Sequence, residues 1–295
     1  MNQKKQLRTD LKGLLFILPS LSGFLLFVVV PVVFSLVISF CQWDYTQGLP
    51  GISFNGGINY INIWSDDWFV KSFTNTILFS LGFVPTTIVT ALFISILLDR
   101  YVYNKRICQL FFFMPYISNV VAVSIVWVVM LSSSGPISSM LRALGVSEPP
   151  KWLGNTSTAL PSVILMSVWL NIGYVIMIYT AALQNVSQDL YEAADLDGAN
   201  GWQQLLHVTL PTLRPTTFFL VITTIINSFK VFGQINIMTQ GGPGNATSVL
   251  VHYIYKSAFT FYDMGYASAM SWILFIVLFA ITIIQMRGQR ERESL

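Results

Sequence analysis

Six long apolar runs constrain this chain before anything else. They cover about residues 13–40, 73–98, 107–131, 160–183, 216–235 and 264–286. Each holds roughly twenty residues or more, enough for a helix rising about 1.5 Å per residue to cross a hydrocarbon layer of about 30 Å. Where no water is present the backbone must satisfy itself, so runs of this length fold as membrane helices. The charge count agrees. Of 295 residues 54% are apolar and 10% are charged, whereas a soluble domain carries about 25% charged residues. That is too little charge to cover a water-facing surface. The expected fold is an all-α membrane protein: one six-helix domain over 13–286, flanked by short segments 1–12 and 287–295. The first run is longer than the core of a secretion signal and lacks a small-residue cleavage site, so it is expected to stay as a span. A net charge of +3 gives no footing for nucleic acid. Cys41 and Cys108 are too few for a disulfide framework.

Lys and Arg set the expected orientation. With the N-terminus inside, the inner segments hold Lys4, Lys5, Arg8, Lys12, Arg100, Lys105, Arg106, Arg214, Arg287, Arg290 and Arg292. The rest of the chain holds Lys71, Arg142, Lys151, Lys230 and Lys256. Eleven against five places both termini in the cytoplasm. The outer segments are modest. Residues 41–72 carry Trp43, Trp64 and Trp68, which suit the headgroup level. Residues 132–158 carry Gly135-Pro136 and Pro149-Pro150, both turn signals, and Gly241-Gly242-Pro243-Gly244-Asn245 is turn chemistry in the third outer loop.

Between the fourth and fifth runs lies a different kind of segment. Asp189, Glu192, Asp195 and Asp197 fall within nine residues, and no Lys or Arg occurs from Ser187 to Leu210. Ser187 suits a helix N-cap, with Asp189 near the positive end of the dipole. Gly198 supplies a positive-φ stop. Asn200 with Gln203 three residues on has the pattern of a capping box for a second helix. Pro211 and Pro215 end that helix and lead into the fifth run. The product is helix, bend, helix on the inner side, 187–211. Such an acidic knuckle suits a basic groove on another protein better than anionic lipid, although an ordinary interfacial connector has the same composition.

Polar residues inside the runs are the candidates for a transport path, because polar groups are costly in hydrocarbon. They are Tyr116 and Asn119 in the third run, Ser167, Asn171 and Tyr174 in the fourth, and Thr223, Thr224, Asn227 and Ser228 in the fifth, with Gln234 near its outer end. Each could equally hold helices together by hydrogen bonds. Lys230 stands about 22 Å along a continuous fifth helix. It could meet an anionic cargo or snorkel to the outer interface, and that height favours snorkelling. No phosphate-cradling G-x-x-x-x-G-K-[ST] pattern occurs. His207 and His252 are the only histidines and stand alone, with no metal-ligand or nucleophile–base spacing.

Glu192-Ala193-Ala194, Asp197-Gly198-Ala199 and Leu210-Pro211 resemble the EAA motif of binding-protein-dependent ABC importer permeases. Leu205 stands where that motif often has phenylalanine. The likeness extends to Asn59-Tyr60, Phe69 and Asn75-Thr76, and to Thr239-Gln240-Gly241-Gly242-Pro243, Thr247 and Tyr253-Ile254-Tyr255. Phe232 fits the sugar-type pattern, but Gly233 stands where many relatives have aspartate. The resemblance implies a type I importer permease (MetI-like) fold, working with a second, homologous permease subunit in a bacterial cell membrane. It implies a cytoplasmic ABC ATPase dimer, which holds ATP and Mg while this chain holds neither, and an external solute-binding protein that delivers a carbohydrate. Glu192, Ala193, Ala194, Asp197, Gly198, Leu210 and Pro211 would form the coupling helix, with Glu192 pairing to an Arg or Lys and Asp197 either tying the bend or solvated. Tyr116, Ser167, Asn171, Thr224 and Ser228 would line the sugar site. A sugar phosphate or another polyol derivative is the alternative cargo. An ion-coupled carrier fits less well, since the runs lack deep carboxylates and no half is repeated. A membrane-embedded enzyme or scaffold lacks a reactive constellation.

Overall fold

The computed structural model describes residues 16–293, with side chains through residue 287. The N-terminal segment 1–12, the first three residues of the first run and Lys4, Lys5, Arg8 and Lys12 lie outside the described residues. Four helices are long and apolar enough to span a bilayer, and two bent helix pairs, residues 105–130 and 201–229, pass the same test only when each pair is taken together. The chain forms two compact units.

One unit comprises the chain up to Asp66 together with residues 254–276. In helix α1, Phe16–Ser39, only 6% of the most apolar stretch is buried. After it, strands β1 (Cys41–Gln42) and β2 (Ser53–Phe54) pair antiparallel, and α2 covers Ile58–Asn62. Ile58, Ile61 and Trp64 are exposed while Asn59 and Ile63 are buried, the pattern of an interfacial helix. The buried amide of Asn59 donates to the carbonyls of Ser39 and Cys41, each at 2.9 Å. It satisfies two acceptors where the first helix has ended. Trp272 Nε1 donates to Ser35 Oγ at 3.2 Å, and Tyr266 Oη donates to Asp66 Oδ2 at 2.6 Å.

The other unit comprises residues 67–253 and the chain from 277 onward. Helix α3, Asp67–Tyr101, has 35 residues. It begins before the run at 73–98 and, at roughly 50 Å, exceeds the hydrocarbon thickness. Helices α4 (Lys105–Ile117) and α5 (Val120–Met130) come from the third run. Helix α6 is Pro136–Ala143 and α7 is Ala159–Gln184. Helices α8 (Gln188–Leu196) and α9 (Gly201–Thr212) make the knuckle, followed by α10 (Arg214–Phe229) and α11 (Gly233–Met238). Residues 250–253 of helix α12 (Leu250–Phe259) and the part of helix α13 (Met264–Glu293) from residue 277 onward also belong to this unit. α7 is the central element, with 61% of its most apolar stretch buried. It packs on α3 and α4, and α10 packs on α3. Polar side chains pin these contacts. Ser95 Oγ reaches Ile176 O at 3.3 Å, Tyr179 Oη donates to Thr217 Oγ1 at 3.1 Å, and Ser228 Oγ donates to Ser80 Oγ at 2.8 Å.

Three expectations need correction. The third run is not one straight helix: α4 and α5 meet at 97°. Pro115 offers no N–H, Ser118 adopts extended backbone, and Asn119 starts a new helix by accepting from the N–H groups of Val121 and Ala122 at 2.8 and 3.4 Å. The fifth run ends at Phe229 rather than about 235, and residues 230–232 separate α10 from α11. The segment beyond 286 is a continuation of α13 to Glu293, not a separate tail. Helices α6 and α12 were not anticipated, because they sit among turn residues.

Two π-helical segments share one cause. Leu25–Val29 precedes Val30-Pro31, and Leu205–Thr209 precedes Leu210-Pro211. In each, the residue before proline donates to the carbonyl five positions back, Val30 to Leu25 and Leu210 to Leu205. A proline ring crowds the carbonyl four back and cannot bond it. Widening the preceding turn accommodates the ring without breaking the helix.

Candidate functional site: an acidic knuckle and a polar cavity

The knuckle is built almost wholly from local chemistry. Ser187 caps α8, its Oγ accepting from Asp189 N at 3.3 Å. α8 ends in a Schellman arrangement: Ala199 N donates to Ala194 O at 2.9 Å and Gly198 N to Asp195 O at 3.0 Å. That closure needs the left-handed backbone of Gly198, at φ +75°. Asn200 then opens α9 with both halves of a capping box. Its Oδ1 accepts from Gln203 N at 3.0 Å while Gln203 Oε1 accepts from Asn200 N at 2.8 Å. Two contacts hold the helices together across the bend. Gln204 Nε2 donates to Asp195 Oδ1 at 2.5 Å, and Tyr191 Oη bonds Thr209 Oγ1 at 2.9 Å.

Glu192 and Ala193 are exposed, and Glu192 makes no side-chain hydrogen bond to a described residue. Leu196 is 90% exposed and Trp202 67%, more than an isolated knuckle would leave to water. Asp197 is exposed. Its carboxylate bonds no described backbone, and its own N–H donates to Ala193 O at 3.0 Å. A concavity of about 440 Å³ lies between the helices, lined by Ala193, Ala194, Gly198 and His207 among others. Leu210 and Pro211 do not line it; they follow the π segment of α9. Arg100, from the end of α3, donates to Gly201 O at 3.4 Å.

The second feature is a cavity of about 320 Å³ where the two helix breaks meet. Phe79 and Phe83 of α3, Tyr116 of α4, Ser167 and Asn171 of α7 and Asn227 of α10 line it, together with Lys230, Phe232 and Gln234. Non-helical backbone at membrane depth is tolerated where it lines such a cavity. Tyr116 stacks on Tyr174 with centroids 5.1 Å apart and planes 20° apart. Ser167 is 1% exposed, yet its Oγ has no hydrogen-bond partner among the described residues. The hydroxyl of Tyr116 and the side-chain amides of Asn227 and Gln234 likewise bond no described residue. Asn171 donates to Ser167 O at 2.8 Å, which leaves its Oδ1 unused.

Four of the seven residues expected on the path therefore share one cavity: Tyr116, Ser167, Asn171 and Asn227. The other three do not line it. Asn119 is a helix cap. Ser228 is spent on Ser80 and on Ile225 O. Thr224 is buried against neighbouring helices. Sequence reasoning missed Phe79, Phe83 and Gly173. A Cβ on Gly173 would collide with the Phe112 carbonyl and lie 2.9 Å from Phe113 Cα, so only glycine lets α7 approach the backbone of α4. Other family-like positions turn out to be clamps. Asn75 Nδ2 donates to Asn245 O and Ser248 O, each at 2.9 Å, and Thr76 Oγ1 accepts from Leu250 N at 2.8 Å. Thr247 bonds Thr239 at 2.7 Å and Gly242 O at 2.8 Å, closing the glycine-rich turn.

Comparison with known proteins follows the same lines. Residues 84–290 match the family model described as binding-protein-dependent transport system inner membrane component. The chain is 34% identical over 277 residues to the probable ABC transporter permease protein YurN of Bacillus subtilis strain 168, covering 92% of this chain and 94% of that one. It is 32% identical to the lactose transport system permease protein LacF of Rhizobium radiobacter, covering 96% of each. The fold matches a chain of a bacterial ABC transporter that imports the acidic polysaccharide alginate. The TM-score is 0.81 at 23% identity, over 97% of this chain and 98% of that one.

Proposed function

The chain belongs to the inner membrane components of binding-protein-dependent transport systems, and on that premise we propose that it forms half of a carbohydrate import path. A second, homologous permease subunit supplies the other half. A solute-binding protein outside the membrane delivers the sugar, and a separate ABC ATPase inside drives alternating access, holding the ATP and Mg. Both termini and the knuckle face the cytoplasm.

The observation that carries this reading is the knuckle. A bent helix pair locked by a cap, a Schellman closure and a capping box is rigid enough to transmit force. It presents Glu192 without a side-chain partner among the described residues, beside exposed apolar side chains. A carboxylate seated against an Arg or Lys of the ATPase would gain about 1.5–3 kcal/mol. Ala193 and Ala194 allow close approach there. The sugar-like names of relatives such as the lactose permease support a carbohydrate cargo, and the cavity has suitable chemistry. Stacked aromatic faces suit sugar rings, and unpartnered hydroxyls and amides suit sugar hydroxyls.

The test is uptake of labelled sugar into vesicles holding the whole complex. Transport should require ATP and the ATPase subunit, and should stop when Glu192 is replaced by Lys. Uptake that persists without nucleotide, or an ATPase that stays bound to the Glu192→Lys complex as tightly as before, would overturn the reading.

A further inference from the structure

Among the described residues, Lys230 is the one charged residue lining the cavity. It makes no ion pair with any described residue. Reading the fifth run as one continuous helix put Lys230 on its outer reach, free to snorkel. In the structure Lys230 is exposed and does not sit within a continuous helix. α10 ends at Phe229, Lys230 is its C-cap, and the chain then turns through residues 230–232 along the cavity wall. The position three residues on, where a carboxylate could have neutralised it, is Gly233, which also lines the cavity. A cation that faces the cavity with no counter-charge among the described residues favours a ligand that brings the opposite charge. Beside it stand polar groups that also lack partners among the described residues: the buried Ser167 hydroxyl and the amides of Asn227 and Gln234.

Resting on the carbohydrate-permease reading, we propose that Lys230 makes this cavity selective for an anionic carbohydrate, one bearing a carboxylate or a phosphate. The hydroxyls and amides hold the polyol, and the ammonium group holds the acid. A cation at the end of α10 also suits the helix dipole, but that effect steadies the fold without distinguishing one cargo from another.

The test uses the assembled complex in detergent, both permease subunits with the ATPase and without the binding protein, so that the delivery protein's own preference does not enter. Galacturonate, glucose 6-phosphate, galactose and glucose are titrated at low ionic strength, and the half-saturating concentration for protection against thermal unfolding is read. An acidic sugar should protect at a concentration about tenfold or more below its neutral counterpart, as a charge-assisted contact implies. Which acid does so tells carboxylate from phosphate. Lys230→Met should erase the difference and Lys230→Arg should keep it. Gly233→Asp, which supplies an internal counter-charge, should erase it with the lysine still present. Equal protection by neutral and acidic sugars in the unaltered complex, or a preference that survives Lys230→Met, would overturn the proposal. So would pairing of Lys230 with a carboxylate of the second permease, which would show as subunit separation in Lys230→Met with no difference among the sugars. Failure of the ATPase to co-purify would instead count against the coupling reading, and the same titrations on the permease pair would still decide this one.

Discussion

Single residues carry the sharpest consequences. Gly198 holds φ +75° to close the knuckle, a conformation that a β-branched residue enters only at a cost of about 1–3 kcal/mol. Gly198→Val should therefore open the bend, and the ATPase should no longer co-purify with the membrane subunits. Glu192→Lys reverses the charge without touching the bend. It should weaken ATPase binding roughly 10- to 150-fold while leaving the thermal unfolding of the membrane subunits unchanged. The two variants separate shape from charge by whether stability moves with binding. Asn59 belongs to a different class. Its buried amide serves two carbonyls, so Asn59→Ala should destabilise the fold by about 2 kcal/mol, read as a lower unfolding temperature in detergent with no change in cargo preference. The knuckle's conformation was legible from Ser187, Gly198, Asn200 and Gln203, since caps and positive-φ stops act over a few residues. Gly173 was not legible, because a glycine within an apolar run carries no sign of what will press against it.

At the level of elements, the decisive features are interruptions. α4 and α5 break at Ser118-Asn119, and α10 breaks from α11 at 230–232. Asn119 is the cap that makes the first break a defined one, and losing such a cap costs about 1 kcal/mol. Asn119→Ala should leave the complex assembled but lower transport, because Tyr116, Ser118 and Val120 lose their fixed positions on the cavity. Transport assay against complex yield checks this. Gly173→Leu acts on the packing of α7 against α4. With the Phe112 carbonyl in the way, the helices must separate, and little folded protein should be recovered from the membrane. The first break could have been suspected from Pro115 and Asn119. The second has no proline, and Gly233 alone does not announce it. There the apolar run continues through a stretch where the helix does not, since hydrophobicity is set by lipid contact and helicity by packing.

For the molecule as a whole, sidedness is the property that most needs measurement. The reading places Ala193 inside and Phe54 outside. In a background with Cys41 and Cys108 replaced by serine, a cysteine at 193 should react with a membrane-impermeant thiol reagent only in inside-out vesicles. A cysteine at 54 should react only in intact cells. Both sites are exposed in this chain, so silence on the expected side would count against the orientation. The large bare surface of α1 has a related meaning. Only 6% of its most apolar stretch is buried, which suits a helix that faces lipid.

By itself the sequence determined the membrane environment, the long apolar runs and the bent acidic knuckle. Each depends on composition or on hydrogen bonds within a few residues, and such terms are complete before distant elements meet. Tertiary structure decided which polar residues face a common space. Ser228, Asn227 and Thr224 are near neighbours on one helix, yet Asn227 alone lines the cavity, because α3 takes the hydroxyl of Ser228 and packing encloses Thr224. Only the arrangement of separate helices settles whether a polar side chain is used as an internal bond or left for a ligand.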